Sequence, residues 1–169
     1  DILTAARFEL GKAELQLRRS IVEPSSVANN AADRLRARHP DRVLEIQIAP
    51  SLPMIDVDPV LFRRVVDNLL ENAHKYTPDG SSAIKLGVSR DEDGVVFEVV
   101  DRGVGIAAED LPNVFTAFFR AERSRSRETG GVGLGLTLAR RIADAHGGTV
   151  SLESQLGAGT TVRVTVPAI

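Results

Sequence analysis

Residues 65–80 read VVDNLLENAHKYTPDG and contain the end of the most regular helical pattern in the chain. The pattern predicts a helix over residues 58–76, with Asp58 as its N-cap and Pro59 at its first helical position. A Pro-Asp-Gly turn follows the helix and ends it. At about 100° per residue, the apolar face of this helix is formed by Phe62, Val65, Leu69 and Ala73.

A row of polar and aromatic side chains borders this apolar face. Asn68, Asn72 and Lys75 line one flank of the face, and Tyr76 lies between the flank and the apolar centre. Such a row can present carbonyl oxygen to a hard cation, positive charge to a phosphate and a ring to a planar base. Boundary positions of helices also carry these residues without any function, so the row alone leaves both interpretations open.

The rest of the chain alternates between strand and helix patterns. Residues 23–40 and 133–148 predict two further helices, with glycines opening and closing the second one. Alternating or β-branched runs predict strands over residues 13–22, 42–50, 83–90, 94–101, 149–155 and 160–167. This order favours a two-layer α/β sandwich, in which about three helices pack on one face of a mixed sheet. Residues 102–132 form a connection of about 30 residues, a length typical of lids and binding loops.

Composition excludes several classes of function. The 169 residues carry a net charge of −2, which gives no bulk attraction to nucleic acid. The chain has no cysteine, so disulfides, thiolate metal sites and a thiol nucleophile are excluded. No apolar run approaches the roughly 20 residues of a membrane span.

The first glycine cluster, DRGVGI at residues 101–106, follows a predicted strand. Its G-x-G-x-x-[GA] spacing formally matches a dinucleotide fingerprint, but Asp101 would repel a pyrophosphate and no parallel crossover follows promptly. A carboxylate beside the bare backbone of Gly103 and Gly105 is suited to accept hydrogen bonds from an exocyclic amine. A simple turn built from aspartate and glycine is the competing interpretation.

The second glycine cluster, GGVGLGL at residues 130–136, runs directly into a predicted helix. Glycines allow amide N–H groups to face an anion, and the helix N-terminus adds about half a positive charge. Between the two clusters, Phe115, Phe118 and Phe119 form an apolar anchor. Four arginines follow them, at positions 120, 123, 125 and 127. This segment is either a solvated mobile stretch or a lid that orders when phosphates arrive.

Taken together, these motifs resemble the ATP-binding catalytic domain of sensor histidine kinases, in the superfamily that also contains type II topoisomerases, Hsp90 chaperones and mismatch-repair ATPases. The resemblance covers roughly residues 20–167. DNLLENAHKYTP is similar to the N box, DRGVGI to the G1 box, VFTAFFR to the F box, GGVGLGL to the G2 box and GAGTTVRV to the terminal glycine-threonine box. The F box departs from the family pattern, because Ala117 stands where proline is usual.

The resemblance implies a Bergerat-type ATP-binding fold with a long ATP lid, and it assigns roles to individual residues. Asn72 resembles the magnesium ligand, Asn68 its supporting N-box position, Lys75 a phosphate contact and Tyr76 the residue that packs on adenine. Asp101 resembles the carboxylate that reads the adenine amino group, while Gly103 and Gly105 keep the backbone clear of the base. The catalytic residues implied are Asn72, Lys75 and Arg120. The remaining ATP-binding residues implied are Ile106, Arg120, Arg123, Gly131, Val132, Gly133, Leu134, Gly135, Leu136 and Thr160.

The implied function is that of a protein-histidine kinase domain that binds ATP with Mg²⁺. It would donate the γ-phosphoryl group to a histidine on a separate dimerisation domain, for onward transfer to a response regulator. None of His39, His74 and His146 lies in an acceptor motif such as H-E, and His146 ends a helix where a cation would complement the dipole. The phosphoacceptor histidine is therefore expected upstream.

We accordingly expect residues 1–12 to be a linker from that dimerisation domain and residues 13–169 to be the ATP-binding catalytic domain. The isolated chain is expected to be a cytoplasmic monomer. The full-length protein is expected to be a homodimeric phosphoprotein anchored in the bacterial cell membrane.

Three alternatives remain within the same superfamily. A stand-alone ATPase would carry a water-activating glutamate four residues before the magnesium asparagine, where this chain has Asn68, and Glu71 projects to the side. A serine kinase that controls a sigma factor shares the same motifs. So does a module that senses nucleotide without catalysis.

Overall fold

The computed structural model describes residues 15–78, 80, 82–116 and 135–169. The elements are, in chain order, β1 (Ser20–Val22), α1 (Pro24–Arg38), β2 (Leu44–Ile48), β3 (Ile55–Val57), α2 (Pro59–Lys75), β4 (Ile84–Arg90), β5 (Val95–Asp101), a short 3-10 helix (Leu111–Asn113), α3 (Gly135–Ala145), β6 (Thr149–Gln155) and β7 (Gly159–Val166).

Five strands form one mixed sheet in the order β2-β4-β5-β7-β6. The pair β2 and β4 is parallel, and every other neighbouring pair is antiparallel. Alternate residues of the strands, such as Leu86 and Phe97, are fully buried in one core with the apolar faces of the helices. The three helices of the described part therefore cover one face of the sheet, which confirms the two-layer α/β sandwich. None of these helices is long and apolar enough to cross a bilayer.

The first strand differs from its prediction. The sequence predicts a strand over residues 13–22; within its described part, residues 15–22, β1 covers only Ser20–Val22. It pairs antiparallel with β3 in a separate two-stranded sheet. The sequence did not predict β3, because a strand of three residues is too short to show a strand period.

Helix α2 begins with two buried polar contacts. Asp58 is the N-cap, as predicted, and its Oδ1 accepts hydrogen bonds from the backbone N–H groups of Val60 and Leu61 at 3.0 and 3.1 Å. The backbone N–H of Asp58 in turn donates to Nε2 of His146 at 2.9 Å, while Nδ1 of His146 contacts the carbonyl of Ile142 at 2.7 Å. An accepting Nε2 and a donating Nδ1 define a neutral ring. His146 is thus an uncharged, buried support for α2, whereas the sequence had suggested a cation.

Contacts between the helices show their relative directions. Ion pairs join Arg34 to Asp67 at 2.9 Å and Arg38 to Glu71 at 3.0 Å, so α1 and α2 run parallel. Helix α3 runs antiparallel to α2, because its C-terminal end meets Asp58 and its first residue, Gly135, lies beside Asn72. The C-terminal end of α2 and the N-terminal end of α3 therefore lie side by side.

The C-terminal end of α2 is held by a buried arginine. Arg42 is 8% exposed and donates to the backbone carbonyls of His74 and Thr77. Its Nε also donates to Nδ1 of His74 at 3.0 Å, and the ring of His39 stacks on that of His74 with centroids 3.6 Å apart. A cation at this end satisfies free carbonyls and complements the negative end of the helix dipole.

The loop that follows β5 packs directly on the residue that ends α2. The backbone N–H of Val104 donates to the carbonyl of Tyr76 at 2.9 Å. A Cβ atom at Gly103 would lie only 2.0 Å from that same carbonyl oxygen. The end of α2 can approach the end of β5 this closely only because residue 103 lacks a side chain.

The His74 contact predicts a pH dependence of stability. Burial first, and then the neighbouring His39 and Arg42, lower the pKa of His74 below its usual value of 6.5. The unfolded chain therefore binds this proton at a higher pH than the folded chain does. We expect the contribution of His74 to the free energy of unfolding to be complete above about pH 6.5. This contribution should be lost as the pH is lowered. Urea denaturation at a series of pH values measures this.

His74→Gln provides the comparison, because its amide oxygen can still accept from Arg42 but does not titrate. The difference in unfolding free energy between wild type and variant should decrease between about pH 7.5 and 5.5. A difference that stays constant over this interval would show that His74 is not the titrating group.

Gly103→Ala should destabilise the protein, because the added methyl group overlaps the Tyr76 carbonyl and forces the loop away from α2. The expected loss of unfolding free energy is about 1–3 kcal/mol, measured by urea denaturation. Gly87→Ala is the matched control, since its Cβ would lie 3.9 Å from the nearest atom. Equal stability of the Gly103 and Gly87 variants would contradict the tight contact.

Candidate functional site

The predicted row of side chains on α2 lies at the boundary between core and surface. Phe62, Val65, Leu69 and Ala73 are buried, as the helical period predicted. Asn68, Asn72 and Tyr76 are half-buried, and Lys75 is exposed. The amides therefore border the core while the ammonium group reaches solvent.

Asn72 lies against the first residue of α3. A Cβ atom at Gly135 would be 3.5 Å from Nδ2 and 3.8 Å from Oδ1 of Asn72. The first N–H groups of a helix have no partner within it, and the helix dipole places positive charge there. The neutral Asn72 amide and the positive potential at the start of α3 thus lie side by side. Together they suit an anion and a hard cation bound to that anion.

Asp101 ends β5 on the helix-covered face of the sheet and is only 8% exposed. Its Oδ1 accepts from the backbone N–H groups of Gly103 at 2.8 Å and Thr160 at 3.2 Å. Within the described ranges, no hydrogen-bond donor contacts its Oδ2. A buried carboxylate oxygen without a donor is costly, so this atom is an acceptor ready for a ligand.

The electrostatic setting of Asp101 has opposing contributions. Burial raises the pKa of the Asp101 carboxyl group, while the hydrogen bonds from Gly103 and Thr160 and the charge of Arg42 lower it. Burial has the larger effect, and the pKa is raised above its usual value of 3.8. A donor that satisfies Oδ2 would stabilise the ionised carboxylate.

The glycines after Asp101 serve close backbone packing. Gly105 has φ of +69°, and a Cβ there would lie 2.1 Å from the carbonyl oxygen of Gln155. Gly103 meets the Tyr76 carbonyl in the same way. These contacts are enough to require glycine, which is a reason distinct from the clearance for a base that the resemblance implied.

Two residues that sequence reasoning missed hold this loop and the start of α3. Ser154 accepts from the backbone N–H of Ile106 at 2.8 Å and contacts Oγ1 of Thr160 at 2.8 Å. Thr137 donates to the carbonyl of Phe115 at 3.0 Å. Both contacts join residues more than 20 positions apart or on different strands, so no local pattern could reveal them.

Phe115 is anchored on α3, as its apolar character had suggested. The guanidinium of Arg140 lies 5.3 Å from the centroid of the Phe115 ring, in addition to the Thr137 bond. Leu136 is half-buried and packs against the core. The chain before residue 117 and the chain after residue 134 are therefore held together.

Several predicted site residues lie outside the described residues. They are Arg120, Arg123, Gly131, Val132, Gly133 and Leu134, with the rest of the predicted lid. Ala117 and the predicted linker over residues 1–12 also lie outside.

The described residues offer an amide rather than an acidic cluster for a metal ion. Among them, no group of three or more His, Cys, Asp or Glu side chains is placed to hold a metal. Mg²⁺ keeps several waters and substrate oxygens as ligands and needs only one or two from the protein. The carbonyl oxygen of Asn72 fits that requirement beside a polyphosphate.

Comparisons with known proteins identify the family of this chain. The family model for histidine kinase-, DNA gyrase B-, and HSP90-like ATPases matches residues 57–169. The circadian input-output histidine kinase CikA of Synechococcus elongatus is 34% identical over 170 residues, which cover 99% of this chain and 22% of CikA. The sensor histidine kinase WalK of Bacillus subtilis is 31% identical over 169 residues, which cover 99% of this chain and 27% of WalK.

The fold is shared with a solved structure. The crystal structure of full-length ShkA in complex with AMPPNP superposes with a TM-score of 0.81 at 29% identity, covering 99% of this chain and 34% of that one. The present chain thus spans about a quarter of the curated relatives described above. The chain belongs to the family of histidine kinase-, DNA gyrase B- and HSP90-like ATPases, and its relatives within that family are sensor histidine kinases.

Proposed function

We propose that this domain binds ATP with Mg²⁺ and donates the γ-phosphoryl group to a histidine on a separate dimerisation domain of a two-component sensor kinase, for onward transfer to a response regulator. The observation that carries the proposal is the Asp101 carboxylate. Two backbone amides fix its Oδ1, and no donor within the described residues contacts its Oδ2. An adenine amino group supplies the missing donor.

The base would lie between the end of the sheet and the end of α2. Asp101 and Thr160 are paired in the register of β5 and β7 and stand on the same face of the sheet. Tyr76 reaches this region from α2, where its carbonyl is joined to Val104. The half-buried Tyr76 ring can pack on the base while the Asp101 carboxylate reads its amino group.

The phosphates would lie toward the start of α3. Asn72 lies beside Gly135 at this helix N-terminus, and Lys75 supplies an exposed positive charge on the same flank of α2. Mg²⁺ held by Asn72 and by phosphate oxygens would offset negative charge between the phosphates. The helix N-terminus and Lys75 orient the triphosphate and stabilise charge during transfer, which is the main task of a protein in phosphoryl transfer.

The acceptor must come from elsewhere, because each histidine of the chain is engaged in structure. His39 contacts the Glu71 carboxylate at 3.1 Å and stacks on His74. His74 accepts from Arg42, and His146 is buried with both ring nitrogens bonded. In the proposed reaction, a histidine nitrogen of the dimerisation domain attacks the γ-phosphorus, the bond to the β–γ bridging oxygen breaks, and ADP leaves.

The contacts of Glu71 argue against a stand-alone ATPase. A hydrolase needs a base that activates water near the γ-phosphate. Asn68 holds the position where related ATPases would carry a glutamate. Glu71 is directed toward α1, where it pairs with Arg38 at 3.0 Å and with His39.

The proposal extends to the longer protein. Residues 1–12 would connect this domain, residues 13–169, to the dimerisation domain. The full-length protein would be a homodimer anchored in the bacterial membrane, with this domain in the cytoplasm. The proposal draws support from the sensor kinases WalK and CikA, which are several times longer than this chain.

Phosphotransfer in trans tests the proposal. The chain is incubated with Mg-ATP labelled at the γ-phosphate and with the dimerisation domain from the same gene, and acid-labile phosphohistidine is counted. Wild type should label the partner domain. Asn72→Ala should reduce the initial rate by about 100-fold or more, because the metal-bound phosphates lose their protein ligand.

Asn30→Ala is the matched control, because Asn30 lies exposed on α1 away from the site. It should label the partner at the wild-type rate. Undiminished labelling by Asn72→Ala, or labelling by neither wild type nor control, would overturn the proposed reaction. Calorimetry with ADP then separates a failure of nucleotide binding from a failure of transfer.

A further inference from the structure

Ser154 completes a polar row across three strands at the end of the sheet. In the register, Asp101 pairs with Thr160 and Thr160 pairs with Ser154. One row deeper, the equivalent positions carry the apolar residues Val99, Val162 and Leu152. The change from apolar to polar side chains therefore occurs at the end of the sheet, where the proposed base site begins.

The hydroxyl group of Ser154 uses its whole hydrogen-bonding capacity. A hydroxyl has one proton to donate and two lone pairs that accept. Ser154 Oγ accepts from the backbone N–H of Ile106 at 2.8 Å. It lies 2.9 Å from the carbonyl oxygen of Gly159, which can only accept, so this contact takes the serine proton.

The contact between Ser154 and Thr160 then has a fixed direction. The two hydroxyl oxygens are 2.8 Å apart. Because the proton of Ser154 is given to Gly159, the proton of Thr160 must point at Ser154. Thr160 Oγ1 therefore keeps lone-pair capacity as an acceptor for a ligand. Its residue is paired with Asp101 in the register and donates its backbone N–H to Oδ1 of Asp101 at 3.2 Å, while no donor among the described residues contacts Oδ2.

We propose that Ser154 is a positioning residue that sets the hydrogen-bond polarity of the base site, so that the site prefers purines with an amino group at C6 to purines with a carbonyl group there. This inference rests on the proposed nucleotide site and adds to it a residue that makes the site selective. Ser154 acts through Thr160 and does not itself touch the nucleotide.

The selectivity follows from matching donors with acceptors. The amino group of adenine carries two protons and can donate to both acceptors, directly or through one water molecule. The carbonyl oxygen of hypoxanthine would face the same acceptors without a proton between them. Loss of the Ser154 hydroxyl lets the Thr160 proton turn toward that carbonyl, which removes part of the discrimination.

Calorimetric titration with ADP and with inosine 5′-diphosphate, both with Mg²⁺, tests the inference. The measured quantity is the ratio of the two dissociation constants. Wild type should bind ADP more tightly, and Ser154→Ala should narrow the ratio by roughly five-fold, the value of one neutral hydrogen bond. If the substitution only loosened the structure, the binding of both diphosphates would weaken equally. The ratio of the two dissociation constants would then be unchanged.

Ser154→Thr and Ser154→Val form a matched pair, since both are β-branched, favour strands and differ by a hydroxyl against a methyl group. The threonine variant should keep the wild-type ratio and the valine variant should narrow it. Ser151→Ala, at an exposed position of the same strand, should also keep the ratio. In a Thr160→Val background, Ser154→Ala should change the ratio no further.

An unchanged ratio in both Ser154→Ala and Ser154→Val would overturn the role of Ser154 while the nucleotide site itself stands. A wild-type chain that binds neither diphosphate would instead remove the proposed function, and this inference with it.

Discussion

Helix α2 is fixed at both ends by buried polar contacts, and the positions of Asn68, Asn72 and Tyr76 follow from this. At its start, the Asp58 side chain caps the helix while the Asp58 backbone N–H is held by His146 from the end of α3. At its end, Arg42 binds the carbonyls that the helix leaves free. A helix held by hydrogen bonds at both ends cannot slide along its apolar face. Its axial position, which burial alone would leave loosely defined, is therefore determined.

With α2 fixed, the proposed site has hydrogen-bond acceptors at one end and positive potential at the other. At the end of the sheet, Asp101 and Thr160 supply oxygen atoms that can accept hydrogen bonds, and the loop after Asp101 is bonded to the Tyr76 carbonyl through Val104. At the start of α3, Asn72 and the helix N-terminus present an amide and positive potential. A ligand with a donor-bearing ring at one end and anionic groups at the other matches this polarity in only one orientation. The different polarity of the two ends therefore supports the proposed orientation of ATP.

Local patterns predicted the elements, but they did not predict the contacts that join them. The period of α2 placed Asn72 correctly at the core boundary, and the strand end placed Asp101 correctly on the sheet. Strand β3 was missed because it is three residues long. Ser154 and Arg42 were missed because their roles depend on strand register and on partners 30 or more positions away. Period and capping are local properties of a sequence, whereas register and buried hydrogen bonds between distant elements are set by tertiary packing.

A division of labour within the proposed kinase follows from which groups the fold leaves free. Glu71 is held by an ion pair with Arg38 and a contact with His39 on the α1 side of α2, and Asn68 cannot act as a base. No described group on this helix is therefore placed to activate water. The three histidines also have structural partners, and one of them, His146, joins the end of α3 to the start of α2. If the described residues supply neither nucleophile nor base for the bound ATP, the proposed domain would keep the nucleotide intact until another domain supplies the attacking nitrogen. The rate of transfer would then be governed by how often that second domain reaches the γ-phosphate, which is a quantity that a distant sensor can control.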